Sequence, residues 1–477
     1  MRRKFSLKTC SVVMFRLVFG ITIFALFKTI LFPPTTTVTK IIHRDGLQKK
    51  ESVPQFSKPS KYPNEEFLPE RSLRRNELED FTMHSLLDPK EQFDTPIKKF
   101  GEKEKRKVIL LFNKQSFENE ISTNEKYKTC EYNNCWITSN KSHLHTADAL
   151  LFEICASGMG TKPPIDTTER SPNQAWIFKC GETPIHHIYG DYKSSAWHNT
   201  MNWSISYRLD SDMPHPYGYL KTRTVPRILD YESIYESKTK TALWVVSNCR
   251  VQSARDLYVK ELMKHGVDVD IYGRCGPHNR IDKETLEQII PKYKFYLGFE
   301  NSLCNDYITE KFFVYYDYNL IVVVRGGADY DRLLPTKTYI NTAHFPNVSH
   351  LAEYLLKLGS DKERYIELLR SKDRYEEKYE YGHKQSICEL CRRLNNVSKF
   401  KKTYYNIRDF LENGQCKMPT DVRDSTNPSR FANDERVFNM MNTMSVSSVS
   451  SSKQNGISMY EVALYCFMIG LCTFASK

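Results

Sequence analysis

Residues 293–327 read YKFYLGFENSLCNDYITEKFFVYYDYNLIVVVRGG. Two apolar runs, Lys294–Asn301 and Leu320–Gly327, enclose a polar bridge and the segment ITEKFFVYYDY. Short apolar runs bounded by turn residues predict strands, and the segment between them predicts a helix. With Asp306 as the cap, Tyr307, Glu310 and Lys311 fall at i, i+3 and i+4 and share one face of the first turn. A strand that brings an Asn, an aromatic, an acid and a lysine to a helix N-terminus points to an anionic ligand.

The same rhythm extends upstream. TALWVVSN (241–248) predicts a strand, Ala254 to His265 a helix, VDVDIYG a strand ending in Gly273, and DKETLEQII a helix. Strand and helix in strict alternation imply an α/β fold with a parallel sheet and right-handed crossovers. Such sheets bind ligands beyond the strand C-termini, where Asn248, Gly273 and Asn301 fall. A further helical stretch is expected at about 351–379. Strand-like runs also stand at Lys107–Phe112, Ala147–Phe152, Ala175–Lys179 and Trp203–Tyr207. A length of 477 residues suits two domains plus tails.

The N-terminus carries Arg2, Arg3, Lys4 and Lys8 ahead of a mostly apolar run from Ser11 to Phe32. Arg16 and Lys28 can snorkel to the two headgroup layers, and basic residues in front place the N-terminus in the cytosol. An uncleaved signal-anchor is expected rather than a cleaved leader. Ten of the thirteen cysteines lie between Cys130 and Cys416, on the far side of it with the sequons at Asn140, Asn202, Asn347 and Asn396, which suits an oxidising lumen. The expected organisation is a cytoplasmic tail (1–10), a transmembrane helix (11–32), a Pro/Thr/Lys/Glu-rich stem (33–105), a first domain (106–230), a second domain (231–395) and a C-terminal extension (396–477). The extension includes a Ser/Val-rich segment at 445–452 and an apolar run, Val462–Phe474, too short to span. The net charge of +12 admits nucleic acid, a membrane surface or an anionic substrate. No basic run with interleaved aromatics supports nucleic acid.

Lys311 and Arg255 could neutralise a pyrophosphate, and Glu310 could accept ribose hydroxyls. Glu182 follows the strand QAWIFKC, where a carboxylate could take a proton from a sugar hydroxyl. Asp210-x-Asp212 has the spacing of a divalent-metal motif, but two carboxylates without other ligands make only a weak, hydrated site. Cys388-x-x-Cys391 admits zinc, redox work or disulfides, the last favoured by the expected compartment.

The blocks NWSISYRLDSDMPHPYG, WVVSNCRVQSARDLYVKEL, VDVDIYGRCG, YKFYLGFENSLCNDYITEKFF and RGGADYDRLLPTKTYI, with the closing CxxC, resemble the α1,3-fucosyltransferases, glycosyltransferase family ten. The resemblance runs colinearly from about 105 to 395, and YGRCG and ENSLC are most like invertebrate members. It implies a Golgi type II membrane glycoprotein with two Rossmann-like domains facing a cleft (GT-B type). The implied reaction is inverting transfer of L-fucose from GDP-fucose to the 3-hydroxyl of N-acetylglucosamine in a glycoprotein glycan. Arg255, Asn301, Tyr307, Glu310 and Lys311 would bind the donor, and Glu182 would be the general base. No metal would be strictly required, a divalent cation being at most stimulatory. By the same resemblance Cys130 and Cys135 would bond to Cys388 and Cys391, and Cys275 to Cys304. Thr183 replaces the serine that commonly follows the base. Val322 and Arg325 also depart from the usual pattern. The alternative reading is a catalytically inactive relative that binds glycans or assists another transferase.

Overall fold

The computed structural model describes residues 86–87, 98, 105–113, 120–187, 189–277, 281–378 and 381–423. The expected tail, anchor, most of the stem, and the segments 445–452 and 462–474 lie outside the described residues. Among the described residues no helix is long and apolar enough to cross a membrane.

The first half is built on β1 (Lys107–Leu111), α1 (Glu120–Tyr127), β2 (Cys135–Thr138), β3 (Ala149–Glu153), β4 (Ala175–Cys180), β5 (Trp203–Ser206) and β6 (Met213–Pro214). These strands form one parallel sheet in the order β2-β1-β3-β4-β5-β6. Every residue of β3, ALLFE, is buried, as expected of a strand covered on both faces.

The second half contains β7 (Tyr219–Thr222), α2 (Tyr231–Glu236), β8 (Lys240–Val245), α3 (Arg255–Lys264), β9 (Val269–Tyr272), α4 (Lys283–Ile289) and β10 (Tyr293–Phe299). It continues with α5 (Glu310–Tyr316), β11 (Ile321–Arg325), α6 (Tyr330–Leu333), β12 (Ile340–Asn341), α7 (Val348–Ser360), α8 (Lys362–Lys372) and β13 (Tyr375–Lys378). The parallel sheet runs β12-β11-β10-β8-β9, and β13 pairs with β7 as a separate antiparallel ribbon. One face of this sheet packs on α7, whose Val348, Leu351, Ala352, Leu355 and Leu358 form a single buried stripe. The other face packs on Phe312, Phe313 and Tyr316 of α5, joined by Leu86 from the stem region. Leu86 is tied in at both backbone groups, donating to Leu333 and accepting from Leu220.

The chain then returns. Helix α9 (Tyr381–Leu394) lays Ile387, Leu390 and Leu394 against the first sheet, and α10 (Ile407–Glu412) adds Ile407 and Leu411 to its opposite face. The first sheet therefore takes part of its core from the end of the chain.

Two boundaries differ from the sequence reading. Helix α5 starts at Glu310, capped by Thr309, rather than after Asp306. Asp306 has a left-handed backbone (φ 56°). Its carboxylate is occupied elsewhere, accepting the Leu209 N–H at 3.1 Å and pairing with Arg332 at 3.3 Å. Tyr307 is therefore outside the helix. The stretch 351–379 is likewise two helices and a strand, broken where Asp361 leaves the helical region and caps α8 through the N–H of Arg364.

Bridges join Cys130 to Cys388, Cys135 to Cys391, Cys155 to Cys180, Cys249 to Cys275 and Cys304 to Cys416. The expected Cys275–Cys304 bridge is overturned. Cys275 follows β9 and Cys304 follows β10, and β8 stands between those strands. Two strand spacings come to about 10 Å, beyond disulfide reach, whereas Cys249 follows the adjacent strand.

Because the two long-range bridges interleave and their cysteines lie close in sequence at both ends, whichever closes second encloses a ring of only about ten residues. Chain entropy credits that closure with about 2–3 kcal/mol, against about 5 kcal/mol for the first. Replacing one pair (Cys135→Ala with Cys391→Ala) is expected to lower the unfolding free energy by about 2–3 kcal/mol, and replacing both pairs by more than twice that. Denaturant titration measures both; equal losses for one pair and two would contradict the small-ring argument.

Candidate active site between the two sheets

Strand β4 ends at Cys180, and the chain turns at once into a short 3-10 helix with Pro184 in its first turn and Thr183 as N-cap. Gly181 and Glu182 project beyond the strand end. The Glu182 carboxylate is exposed and accepts the hydroxyl proton of Tyr307 at 3.1 Å. Beside it the hydroxyls of Thr183 and Ser302 meet at 3.0 Å in full burial. The loops that follow β4 and β10 thus touch twice, so the C-terminal ends of the two sheets face one another, where open α/β sheets bind ligands. Tyr307 is packed edge-on by Tyr207 and Tyr217, and Tyr217 donates to the Gly181 carbonyl at 3.0 Å. Burial pushes the Tyr307 phenol well above its ordinary range, reinforced by Tyr217 and Glu182. It therefore stays a donor.

On the other side of Tyr307, Lys311 is held by three oxygens: Thr309 Oγ1 at 2.8 Å, Glu310 Oε1 at 2.9 Å and Glu300 Oε2 at 3.3 Å. Glu300 has no exposure to water. It accepts the Thr309 N–H at 2.8 Å, and the Thr309 hydroxyl stands within 3.0 Å of both its oxygens. Burial raises its pKa against the pull of Lys311. Burial also opposes the charge on Glu310, but Lys311 outweighs it and holds that carboxyl below its usual range. For Lys311 the two carboxylates overcome burial and raise the ammonium.

Arg255 opens α3 from behind Ala254, which has a left-handed backbone. Its guanidinium is buried and spans two carbonyls, Phe299 at 2.7 Å and Asn248 at 3.0 Å. Among the described residues, Arg255 Nε and the side-chain oxygen of Asn301 are buried without a hydrogen-bond partner. Buried polar atoms rarely stay unpaired, so both mark where a polar ligand would sit.

The structure thus brings Glu182 and Tyr307 together directly, and Glu310 with Lys311. Reading the sequence gave Glu300 and Thr309 no role. A threonine directly before EKFF is a good N-cap and could have moved the helix start forward. Gly327 has a packing role, since a Cβ there would fall 2.2 Å from the Leu303 carbonyl carbon.

The remaining candidates have other partners. Asp212 accepts from Ser204 and Tyr404 and lies 3.1 Å from Lys402, and Asp210 pairs with Arg208. A cavity of about 400 Å³ lies beside Asp210, Asp306 and Arg332. Its charged walls are already paired, and none of the six candidate site residues lines it. Asn140 and Asn347 are exposed, whereas Asn202 and Asn396 donate their amides to the carbonyls of Lys402 and Arg392, each at 2.8 Å. Val322 is a fully buried β11 residue. Arg325 is buried and grips both carboxylate oxygens of Asp421 at 2.6 and 2.8 Å, anchoring the segment beyond Cys416.

Residues 104–218 match the family domain described as fucosyltransferase, N-terminal, and residues 235–410 match glycosyltransferase family 10 (fucosyltransferase) C-term. The chain is 32% identical to alpha-(1,3)-fucosyltransferase C of Drosophila melanogaster over 321 residues, covering 62% of this chain and 72% of that protein. It is 30% identical to alpha-(1,3)-fucosyltransferase fut-5 of Caenorhabditis elegans over 296 residues, covering 60% of this chain and 77% of that protein. A crystal structure of an alpha1,3-fucosyltransferase is 16% identical with a TM-score of 0.39, covering 58% of this chain and 84% of that one.

Glu300→Ala would strip the buried Thr309 N–H of its acceptor and Lys311 of a counter-charge. The expected loss is about 3–5 kcal/mol of stability, against about 1–3 kcal/mol for Glu300→Gln, which keeps the shape and one acceptor. Urea unfolding of both variants checks the order.

Proposed function

The chain belongs to glycosyltransferase family 10, the fucosyltransferases, and from that premise we propose that it transfers L-fucose from GDP-fucose to the 3-hydroxyl of an N-acetylglucosamine in a glycoprotein glycan. The contact between the Glu182 carboxylate and the Tyr307 hydroxyl carries this reading, because it puts a base beside the donor-side residues. The donor is held with its diphosphate toward Lys311 and Arg255 and its ribose hydroxyls toward Glu310. Asn301 supplies a buried acceptor that has no protein partner.

Glu182 takes the proton of the acceptor hydroxyl as that oxygen attacks the anomeric carbon from the face opposite GDP. The oxygen–carbon bond forms while the carbon–phosphate oxygen bond breaks, so configuration inverts and GDP leaves with the electron pair. Charge grows on the diphosphate during this step. Lys311 and Arg255, fixed beforehand by carboxylates and carbonyls, stabilise it more strongly than the ground state. In the free site Tyr307 donates to Glu182 and fixes the direction of its carboxylate. Held cations of this kind do the work a divalent ion would otherwise do, so the reaction needs no metal. The reaction takes place in the Golgi lumen, on a protein anchored by residues 11–32.

The test is transfer by the full chain from GDP-fucose to a panel of N-glycan core and N-acetyllactosamine-type acceptors, with chelator present and mass as the readout. One added deoxyhexose on one acceptor class is expected; no transfer from folded protein that binds GDP would overturn the reading. Glu182→Gln is expected to lower kcat about 100- to 10,000-fold with little change in donor KM. Lys311→Met should lower kcat/KM for the donor by about 100-fold or more.

A further inference from the structure

The main chain of Glu182 is held at both of its polar groups. Cys180 Sγ accepts its N–H at 3.2 Å, and His187 Nε2 lies 3.1 Å from its carbonyl oxygen and 3.1 Å from that same sulfur. Cys180 is bridged to Cys155, so its sulfur has no proton to give. Both neighbours of Nε2 are therefore acceptors, and the proton of the neutral ring must reside on Nε2. Nδ1 faces the Tyr192 hydroxyl oxygen at 2.8 Å, and that hydroxyl donates to Glu412 Oε1 on α10 at 2.8 Å. Glu412 keeps Lys193 at 2.9 Å and Arg408 at 2.8 Å as its own partners.

Resting on the reading of Glu182 as the base, we propose that His187 is a positioning residue for the reaction: its Nε2–H fixes the Glu182 carbonyl, while its ring stands against the Tyr192 hydroxyl that is bound to Glu412 of α10. The carboxylate that must meet the acceptor hydroxyl stands on a loop past a strand end, where its aim is set by its own backbone. A disulfide sulfur and an imidazole fix that backbone from either side. Burial keeps the ring neutral, pushing its pKa down to about 4 against the opposing pull of the Glu182 carbonyl and Glu412. The ring thus stays in the required tautomer through the neutral range. Cys155, Cys180 and His187 stand within 4.8 Å of one another, but sulfurs bonded to each other offer no thiolate to a metal.

The experiment uses the full chain with GDP-fucose and an N-acetylglucosamine-containing acceptor. His187→Leu is expected to lower kcat about 10- to 100-fold through loss of aim, with donor KM within about twofold. His187→Gln can still donate to the carbonyl, and should recover kcat to within about threefold of the parent. Combined with Glu182→Gln, His187→Leu should add no further loss, since it acts only through that residue. An undiminished kcat in His187→Leu, a Gln variant as slow as the Leu variant, or additive losses in the double variant would each overturn the proposal. Should His187→Leu fail to fold, His187→Gln against the shorter His187→Asn decides it, equal kcat values counting against. An active Glu182→Gln removes the base reading itself, and the proposal with it. That outcome is distinct from an inactive Glu182→Gln beside an unimpaired His187→Leu.

Discussion

A carboxylate withdrawn entirely from water needs donors on all sides, and Glu300 at the end of β10 has them: the Thr309 N–H, the Thr309 hydroxyl and the Lys311 ammonium. Much of the donor side follows from that demand. Thr309 becomes the cap of α5 because its hydroxyl and N–H are already directed there. Lys311, two residues on, is turned inward toward charge that it shares with Glu310. The segment between, Asn301 to Ile308, must loop outward to span strand end and helix start, and this loop carries Tyr307 to Glu182. The Lys311 ammonium is thus fixed by the protein's own groups.

The site is an alternation of charges with few to spare. Lys311 faces two carboxylates, whereas Arg255 hydrogen-bonds to neutral carbonyls and leaves its Nε unpaired. On the proposed reading, an arriving diphosphate would compete with Glu310 for Lys311 more readily than with Glu300, because Glu310 is partly exposed and Glu300 is fully buried. This gives the two acids different duties although they stand ten residues apart. On the proposed reading the outer one would turn to the ribose hydroxyls, while the inner one stays to orient the lysine.

Much of this was legible in the sequence. The strict strand–helix alternation after residue 241 announced the parallel sheet, and Glu182 could be placed just past a strand end from QAWIFKC. What escaped depends on order in space. The Cys275–Cys304 pairing failed because hydrophobic pattern does not say that β8 lies between β9 and β10. The start of α5 was misplaced because Asp306 and Thr309 both suit a cap, and only the buried Glu300 decides between them. His187, Tyr192 and Glu412 are scattered across 226 residues of chain, and none belongs to a motif. Their relation exists only once α10 has packed on the first sheet.

The return of α9 to the first sheet has a consequence for biogenesis. Cys130 and Cys135 leave the ribosome 258 and 256 residues before their partners. At about 5–20 residues per second that is on the order of tens of seconds. Throughout that interval the first sheet exists without the helix that completes one of its faces, and two of its thiols are open to wrong partners among the cysteines that follow. Successful folding of this chain therefore depends on its host holding the nascent first domain unpaired, or reshuffling it, until residue 391 has been made. On the proposed lumenal placement, thiol–disulfide exchange in the surrounding compartment would supply that reshuffling.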